Sequence, residues 1–547
     1  MDSDSKADAS ISMKTFGPAL IVGFIVFSIC ALAVPSLEAP LNDEWCYAYI
    51  SRVFAQTGRL TFAGCSAATL GIQILSGALV IKLFGLSFHA LRMLIAALTG
   101  ACATVQYLLM RQVHIPGRNA AFGTLAVMLS PVVFPNSIMF MTDVPGLLLM
   151  LLAILLSMMS FAASSRTKML SLMIASFAVS LCAASIRQFF FLLPISLFGA
   201  IAYIRRRDRL MCFAGSVMSV ASIVCLVLTL HWYSSQANTA GSAGSVAISL
   251  TALSHPLRLS KACVRMALTV AMYLMPITVA FLLPLRRKFK VIAVGLVLGG
   301  VIAAIRPLPE LGNMVTPYGY TFSGQMFIGD KPVVLGLGLR VLITLITMAG
   351  GCCALWVLLR NARLIRKYAM RSEVLFCLCV GPFVTMYALA VATRYPWGIF
   401  DRYLIPIISI IAVVLLNVYR RRIPVGSWIL AILFLGFEWA AVHDYTAEYS
   451  ARMQVVEQLL HAGVPQDAIT AGMERDQWTQ LEEAGAVKYV EPHPHPFPAA
   501  PWLFAAPVIR PQYFVTRSAL KGFTRINDPV CFGQILPPFR GCVYAVR

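Results

Sequence analysis

Residues 141–168 read MTDVPGLLLMLLAILLSMMSFAASSRTK, and the order of the parts in this stretch decides the fold. Asp143 stands near one end, Arg166 and Lys168 at the other, and nothing charged lies between them. An α-helix needs about 20 apolar residues to cross the hydrocarbon core of a bilayer, so the run centred near Leu152 predicts a transmembrane helix. Its basic end predicts the cytoplasmic side, because Lys and Arg accumulate in loops that stay inside. Asp143 then lies at the outer boundary, where a carboxylate costs free energy unless it is paired or used.

The same pattern repeats along the chain. Hydrophobic residues make up 59% of it and charged residues 12%, against about a quarter charged in soluble proteins. About thirteen runs have spanning length, centred near Ile25, Leu98, Val127, Leu152, Ile174, Pro194, Val220, Met272, Val297, Ile346, Leu378, Ile411 and Phe434. Basic clusters such as Arg205-Arg206-Arg207, Arg286-Arg287-Lys288 and Arg420-Arg421-Arg422 fall at alternate connections. The net charge of +21 therefore orients a membrane protein and calls for no nucleic-acid partner. The first run, Gly17 to Val34, has no small-residue cleavage site after it and reads as a retained span. An odd count puts the amino terminus in the cytoplasm and the carboxyl terminus outside.

The expected architecture is an all-α polytopic membrane protein with a small α/β carboxyl-terminal domain. Residues 1–15 form a cytoplasmic tail, 16–442 the membrane domain with its first outer loop at 35–87, and 443–547 an extracytoplasmic domain. Within that outer loop, Asp43 to Gln56 and Ala67 to Leu83 read as two helices lying at the membrane surface. The tail should hold a helix from Tyr445 to His461, stopped by Gly463, then short strands at 468–471, 487–490 and 512–516. The Gly/Ala/Ser-rich stretch Asn238 to Ser245 reads as a mobile loop. Fourteen cysteines show no CxxC pairing and hence no zinc or iron–sulfur framework. Four of them, Cys46, Cys65, Cys531 and Cys542, fall on the outer side, where an oxidising compartment permits disulfides. Cys531 with Cys542 is the favoured bridge, and Cys46 with Cys65 the second.

Acids and arginines gather on that outer side. Asp43 and Glu44 follow the first span in Asn42-Asp43-Glu44-Trp45; read alone, they are a helix cap and a favourable first-turn charge. Asp143 heads another span, Arg187 and Gln188 stand before a third, and Arg402 and Tyr403 before a fourth. Arginines at such places also snorkel to the interface without further purpose. Together, however, the residue types suit attack of a hydroxyl on a sugar's anomeric carbon. A carboxylate takes the hydroxyl proton, and guanidinium forks hold a departing phosphate bidentately.

The pattern resembles the multi-span glycosyltransferases that use polyprenyl-phosphate sugars, the C-type superfamily, in its branch of protein O-mannosyltransferases and lipid A aminoarabinose transferases. The resemblance rests on Asp43-Glu44, Asp143-Val144-Pro145, Arg187-Gln188 and Asp401-Arg402-Tyr403-Leu404-Ile405-Pro406, and it covers about four fifths of the chain. It implies that Asp43 is the acceptor's base with Glu44 in support, and that Asp143 is the second acid. It also implies a bacterial inner-membrane location, a polyprenyl-phosphate-linked sugar as donor, and a glycan, lipid or protein as acceptor. Oligosaccharyltransferase relatives use the second acid for a metal, but no Asp-x-Asp or Glu-x-Asp pattern accompanies Asp143. No cofactor is called for, and a divalent cation stays the open alternative.

Other features carry less. His493 and His495 alternate with prolines, which hold their rings apart in extended chain and supply no third ligand. Glu310, Asn313, Tyr318 and Tyr320 lie in an outer loop long enough to fold over a substrate. A transporter of lipid-linked sugar remains the rival reading, although it should show internal repeats and midplane charges. A non-catalytic envelope assembly protein on the same scaffold is the third.

Overall fold

The computed structural model describes residues 13–66, 68–239, 255–283, 285–309, 311–312, 314–320, 327–367, 372–394, 399–487 and 500–547. Glu310, Asn313, His493, His495 and most of the 238–245 loop lie outside these residues, as do positions 488–490 of the expected second tail strand.

The chain is an all-α polytopic membrane protein with a small carboxyl-terminal sheet. Among the described residues, ten helices are long and apolar enough to cross a bilayer, and Pro256–Tyr273 with Met275–Leu282, bent by 70°, makes an eleventh if counted as one span. The difference from about thirteen lies in two places. The run near Val127 forms Gly117–Met128, of 12 residues, then breaks into turns around Pro131. The run near Pro194 enters as a tight turn, Gln188–Phe191, before the helix Leu192–Ile204. Hydropathy counts apolar residues in a row, but proline removes the N–H that would continue a helix through them.

Helix starts follow local chemistry. Ser165 of the opening stretch caps Arg166–Ile186 by accepting the Lys168 N–H, and Ser87 and Asp208 cap Phe88–Gln112 and Arg209–Ser235 in the same way. The first span, Met13–Ala33, crosses Phe88–Gln112 where Gly23 meets Gly100. A Cβ on Gly23 would sit 2.7 Å from the Gly100 carbonyl oxygen, so the crossing needs glycine.

The outer loop forms the two expected helices, Glu44–Thr57 and Gly71–Phe84. Gly58, at φ 68°, ends the first. Both expected disulfides are present, Cys46–Cys65 and Cys531–Cys542.

The tail departs from expectation in its first helix and in its sheet, which gains the strands Val530–Gly533 and Arg540–Val546. No separate helix begins at Tyr445; a single 37-residue helix, Val425–His461, runs from the apolar region into the tail. The sequence has neither glycine nor proline between Gly436 and Gly463, so polarity changes there without a backbone break. Against this helix lies a four-stranded sheet in the order Ile469–Thr470, Tyr513–Thr516, Arg540–Val546, Val530–Gly533. The first pair is parallel, the others antiparallel, and Cys531 is opposite Cys542 in register. Ala451, Val455, Val456 and Leu459 of the helix form the sheet's core with Val515, Val543 and Ala545. The helix Met473–Ala484 covers the outer-loop helix Glu44–Thr57.

Candidate functional site

The turn before Glu44–Thr57 puts two acids side by side with opposite fates. Glu44 is fully buried and accepts from the Leu41 N–H at 2.9 Å, the Phe140 N–H at 2.7 Å and Arg92 Nη2 at 2.6 Å. Arg92, equally buried, also donates to the Leu37 and Ala39 carbonyls. A buried ion pair of this kind stands only because further hydrogen bonds satisfy both partners. Asp43 instead is one-fifth exposed and pairs with Arg402, its Oδ2 lying 2.7 Å from Nη2.

Arg402 is placed by its own neighbour. Asp401 is buried and accepts from the Tyr273 hydroxyl at 2.7 Å, the Met314 N–H at 3.0 Å and the Arg402 N–H at 2.9 Å. Tyr387 donates its hydroxyl to the Tyr403 carbonyl at 3.0 Å. The turn 401–404 is thereby tied to two other helices and to the loop carrying Met314.

Arg187 ends the helix Arg166–Ile186 and turns toward Asp143 at 3.1 Å and the Thr142 hydroxyl at 2.7 Å. Its guanidinium also lies 5.1 Å from the centre of the Tyr403 ring. Burial works against its charge, but Asp143, Tyr403 and Tyr47 outweigh that and move its pKa upward, so the group stays cationic.

These groups converge. Asp43, Tyr47, Cys65, Ser66, Ala68, Arg187, Gln188, Phe189, Arg394, Arg402 and Tyr403 line one cavity of about 230 Å³. Five of the seven residues expected from the sequence thus share a wall: Asp43, Arg187, Gln188, Arg402 and Tyr403. Glu44 and Asp143 do not. Glu44 fixes the turn that carries Asp43, and Asp143 stands behind Arg187 as its counter-charge.

Arg394 and Tyr47 also line the cavity and Arg92 holds Glu44 behind it, though none of the three is among the residues expected from the sequence. Arg394 stacks over Phe189 at 4.8 Å, and its signal was a second arginine in the outer loop that carries Arg402. Tyr47 sits one helical turn after Asp43, on the same face. Burial, with Asp43 adding to it, raises the Tyr47 phenol well above its ordinary pKa and keeps it protonated. Arg92 had only its place near the outer end of a span, as the fifth residue of its helix, to mark it.

One wall is a strap, residues 62–66 and 68–70. The Cys46–Cys65 bond joins it to the helix of Asp43 and Tyr47, the Tyr233 hydroxyl donates to the Ser66 carbonyl, and the Leu70 N–H donates to the Ile186 carbonyl at 3.3 Å. The residues present do not fit a divalent cation: both acids at the site are paired with arginines, and no group of three or more His, Cys, Asp or Glu side chains is close enough to hold one among the described residues.

No family model and no curated protein matches the chain. Solved structures do resemble it. ArnT from Cupriavidus metallidurans, bound to undecaprenyl phosphate, is 13% identical over 97% of this chain and 98% of its own, with a TM-score of 0.36. The Archaeoglobus fulgidus oligosaccharyltransferase in its apo form is 12% identical over 79% of this chain and 56% of its own, with a TM-score of 0.43. The S. cerevisiae protein O-mannosyltransferase Pmt1-Pmt2 complex bound to the sugar donor is 13% identical over 43% of this chain, with a TM-score of 0.35; the match spans 36% of the yeast chain. At these identities none of them assigns an activity to this protein.

Proposed function

We propose that the protein is a membrane glycosyltransferase that moves a sugar from a polyprenyl-phosphate carrier to an acceptor hydroxyl on the outer face of a bacterial inner membrane. The observation that carries this reading is the single cavity shared by Asp43, Arg187, Arg394 and Arg402. Its wall carries three guanidinium groups beside the one carboxylate of Asp43, and guanidinium forks bind phosphate oxygens bidentately.

In the mechanism, the donor's phosphate oxygens lie on the arginine forks. The acceptor hydroxyl attacks the anomeric carbon from the face opposite the phosphate, and its proton passes to a carboxylate oxygen of Asp43. The new carbon–oxygen bond forms as the bond to phosphate breaks. The electron pair leaves with the carrier as polyprenyl phosphate, and the sugar's configuration inverts. Donor oxygens that draw Arg402 onto themselves loosen its pair with Asp43, whose carboxylate oxygen is then open to the acceptor hydroxyl.

An apolar groove of about 360 Å³ lined by Ile407, Ile411 and Leu415, with Val384, Ala388 and Val270 also on its wall, would take part of the carrier's tail. The first three lie on the helix Ile405–Val418, which begins two residues after Tyr403. Each methylene buried there contributes about 0.8 kcal/mol. In this reading residues 16–442 are the membrane part, the tail from 443 lies outside, and the amino terminus lies inside.

The test is turnover by the purified protein in a bilayer disc, with a polyprenyl-phosphate sugar and envelope acceptors, beside Asp43→Asn. The variant keeps the side chain's shape but binds no proton, and should lower kcat by about 10²-fold or more. A wild type that releases no carrier, or a variant as fast as the wild type, refutes the reading.

A further inference from the structure

Asn42, next to the candidate base, has a left-handed backbone at φ 55° and is 2% exposed. Few residues other than glycine adopt that conformation, and asparagine does so most readily. The turn is closed on itself, since the Asn42 side-chain oxygen accepts the Asp43 N–H at 2.8 Å and the Leu41 carbonyl accepts the Glu44 N–H at 3.2 Å. The Asn42 N–H points elsewhere, to the Tyr445 hydroxyl at 3.4 Å.

Tyr445 in turn donates to Glu474 Oε1 at 2.8 Å. A hydroxyl that donates to a carboxylate accepts more strongly, because bonds in a chain polarise one another. Arg452 holds the other oxygen of Glu474 at 3.8 Å and is itself bonded to the Ala471 carbonyl. Tyr445 and Glu474 are both buried and belong to the tail. A buried line of polar contacts thus runs from the tail helix Met473–Ala484 to the residue that carries Asp43 on its far side.

The same helix reaches the cavity by two more routes. Trp478 packs edge-on against Phe88 and Tyr49, Arg52 lies 5.1 Å from its ring centre, and Arg52 pairs with Glu482 at 3.2 Å. Tyr49 and Arg52 belong to the helix that carries Tyr47. Just past the tail helix, the Val487 N–H donates to the Ala63 carbonyl at 2.7 Å. Gly64, at φ 76°, lies so near the Val487 carbonyl that a Cβ there would sit 2.5 Å from its oxygen. Both the helix of Asp43 and the strap of Cys65 are therefore braced from the tail.

We infer that Tyr445 and Glu474 are positioning residues for Asp43, so that the tail is a working part of the site. The consequence for turnover rests on the sugar-transfer reading; the consequence for the turn's rigidity does not.

The experiment uses the full chain in bilayer discs, as wild type, Tyr445→Phe, Glu474→Ala and Glu474→Gln. Amide hydrogen exchange over residues 41–47 is read without substrate, and initial rates are read against donor concentration. Tyr445→Phe and Glu474→Ala should speed exchange in that segment while the rest of the tail keeps its protection. They should lower kcat about tenfold with the donor KM within about twofold, the pattern of a lost orienting bond rather than a lost binding contact. Glu474→Gln keeps an accepting oxygen and should restore most of the rate. Unchanged exchange and rate in Tyr445→Phe would overturn the inference, and so would loosening of the whole tail in both variants. Faster local exchange in a protein whose wild type transfers no sugar would sink the functional reading and leave the brace standing.

Discussion

Asp43 and Arg402, 359 positions apart in the chain, meet at 2.7 Å on the wall of one cavity. Each is followed or preceded by a buried acid, Glu44 and Asp401, that makes no contact with the cavity and holds the local backbone. The pair is thus set in place from behind on both sides.

Arg402→Lys keeps the positive charge and loses the planar fork. The donor KM should rise about tenfold or more, since a lysine cannot grip two phosphate oxygens at once. Arg394→Ala should act in the same direction. Steady-state rates against donor concentration decide it; an unchanged KM in both variants removes these arginines from phosphate binding.

Arg92→Met leaves the Glu44 carboxylate buried without its cation. Breaking such a pair from one side costs about 3–5 kcal/mol, so the melting temperature in detergent should fall by several degrees. The double variant Glu44→Gln with Arg92→Met should lose less than the two single losses added together. Single variants that melt like the wild type would show that this pair does not hold the turn.

Cys65→Ser frees the strap from the helix of Asp43 and Tyr47. Donor affinity should weaken, whereas Cys531→Ser, which opens a hairpin in the tail sheet, should leave it alone. Carrier binding can be titrated by intrinsic fluorescence for both variants. Equal affinities in the two would mean the strap's anchorage does not shape the cavity.

Lys331, half-buried between the tail and the outer loops, has its pKa lowered from 10.5 to about 7 by burial, with Arg517 and Arg452 adding to it. Between those two values the unfolded chain binds the proton that the folded chain gives up, so stability rises with pH across this window and is flat below about 7. Melting temperatures of the wild type between pH 7 and 9 should climb more steeply than those of Lys331→Met. Parallel slopes would show that Lys331 titrates normally.

Much of the cavity's wall could be read before any fold was known. Asp43, Arg187, Gln188, Arg402 and Tyr403 stood out because a polar group beside a long apolar run must have a reason to be there. Glu44 and Asp143 stood out for the same cause but lie behind the wall, paired with Arg92 and Arg187, since the sequence shows which groups are costly and not which cation answers each one. Arg92 and Asp401 needed the fold, because their partners lie far off in the chain. In the tail, the change in polarity after Val442 marked where the apolar surface stops, while the helix carrying it continues to His461. The hairpin of Val530–Gly533 and Arg540–Val546 is marked in the sequence only by its two cysteines, since its short strands carry no clear alternation.

The uninterrupted helix Val425–His461 is a rod without a joint. If its lower half leans in a thicker or thinner bilayer, its upper half leans with it and takes Tyr445 along, one hydrogen bond from Asn42. Lipid thickness then becomes a setting of the turn that carries Asp43, and hydrogen exchange there, measured in discs of different chain length, should fall on one curve.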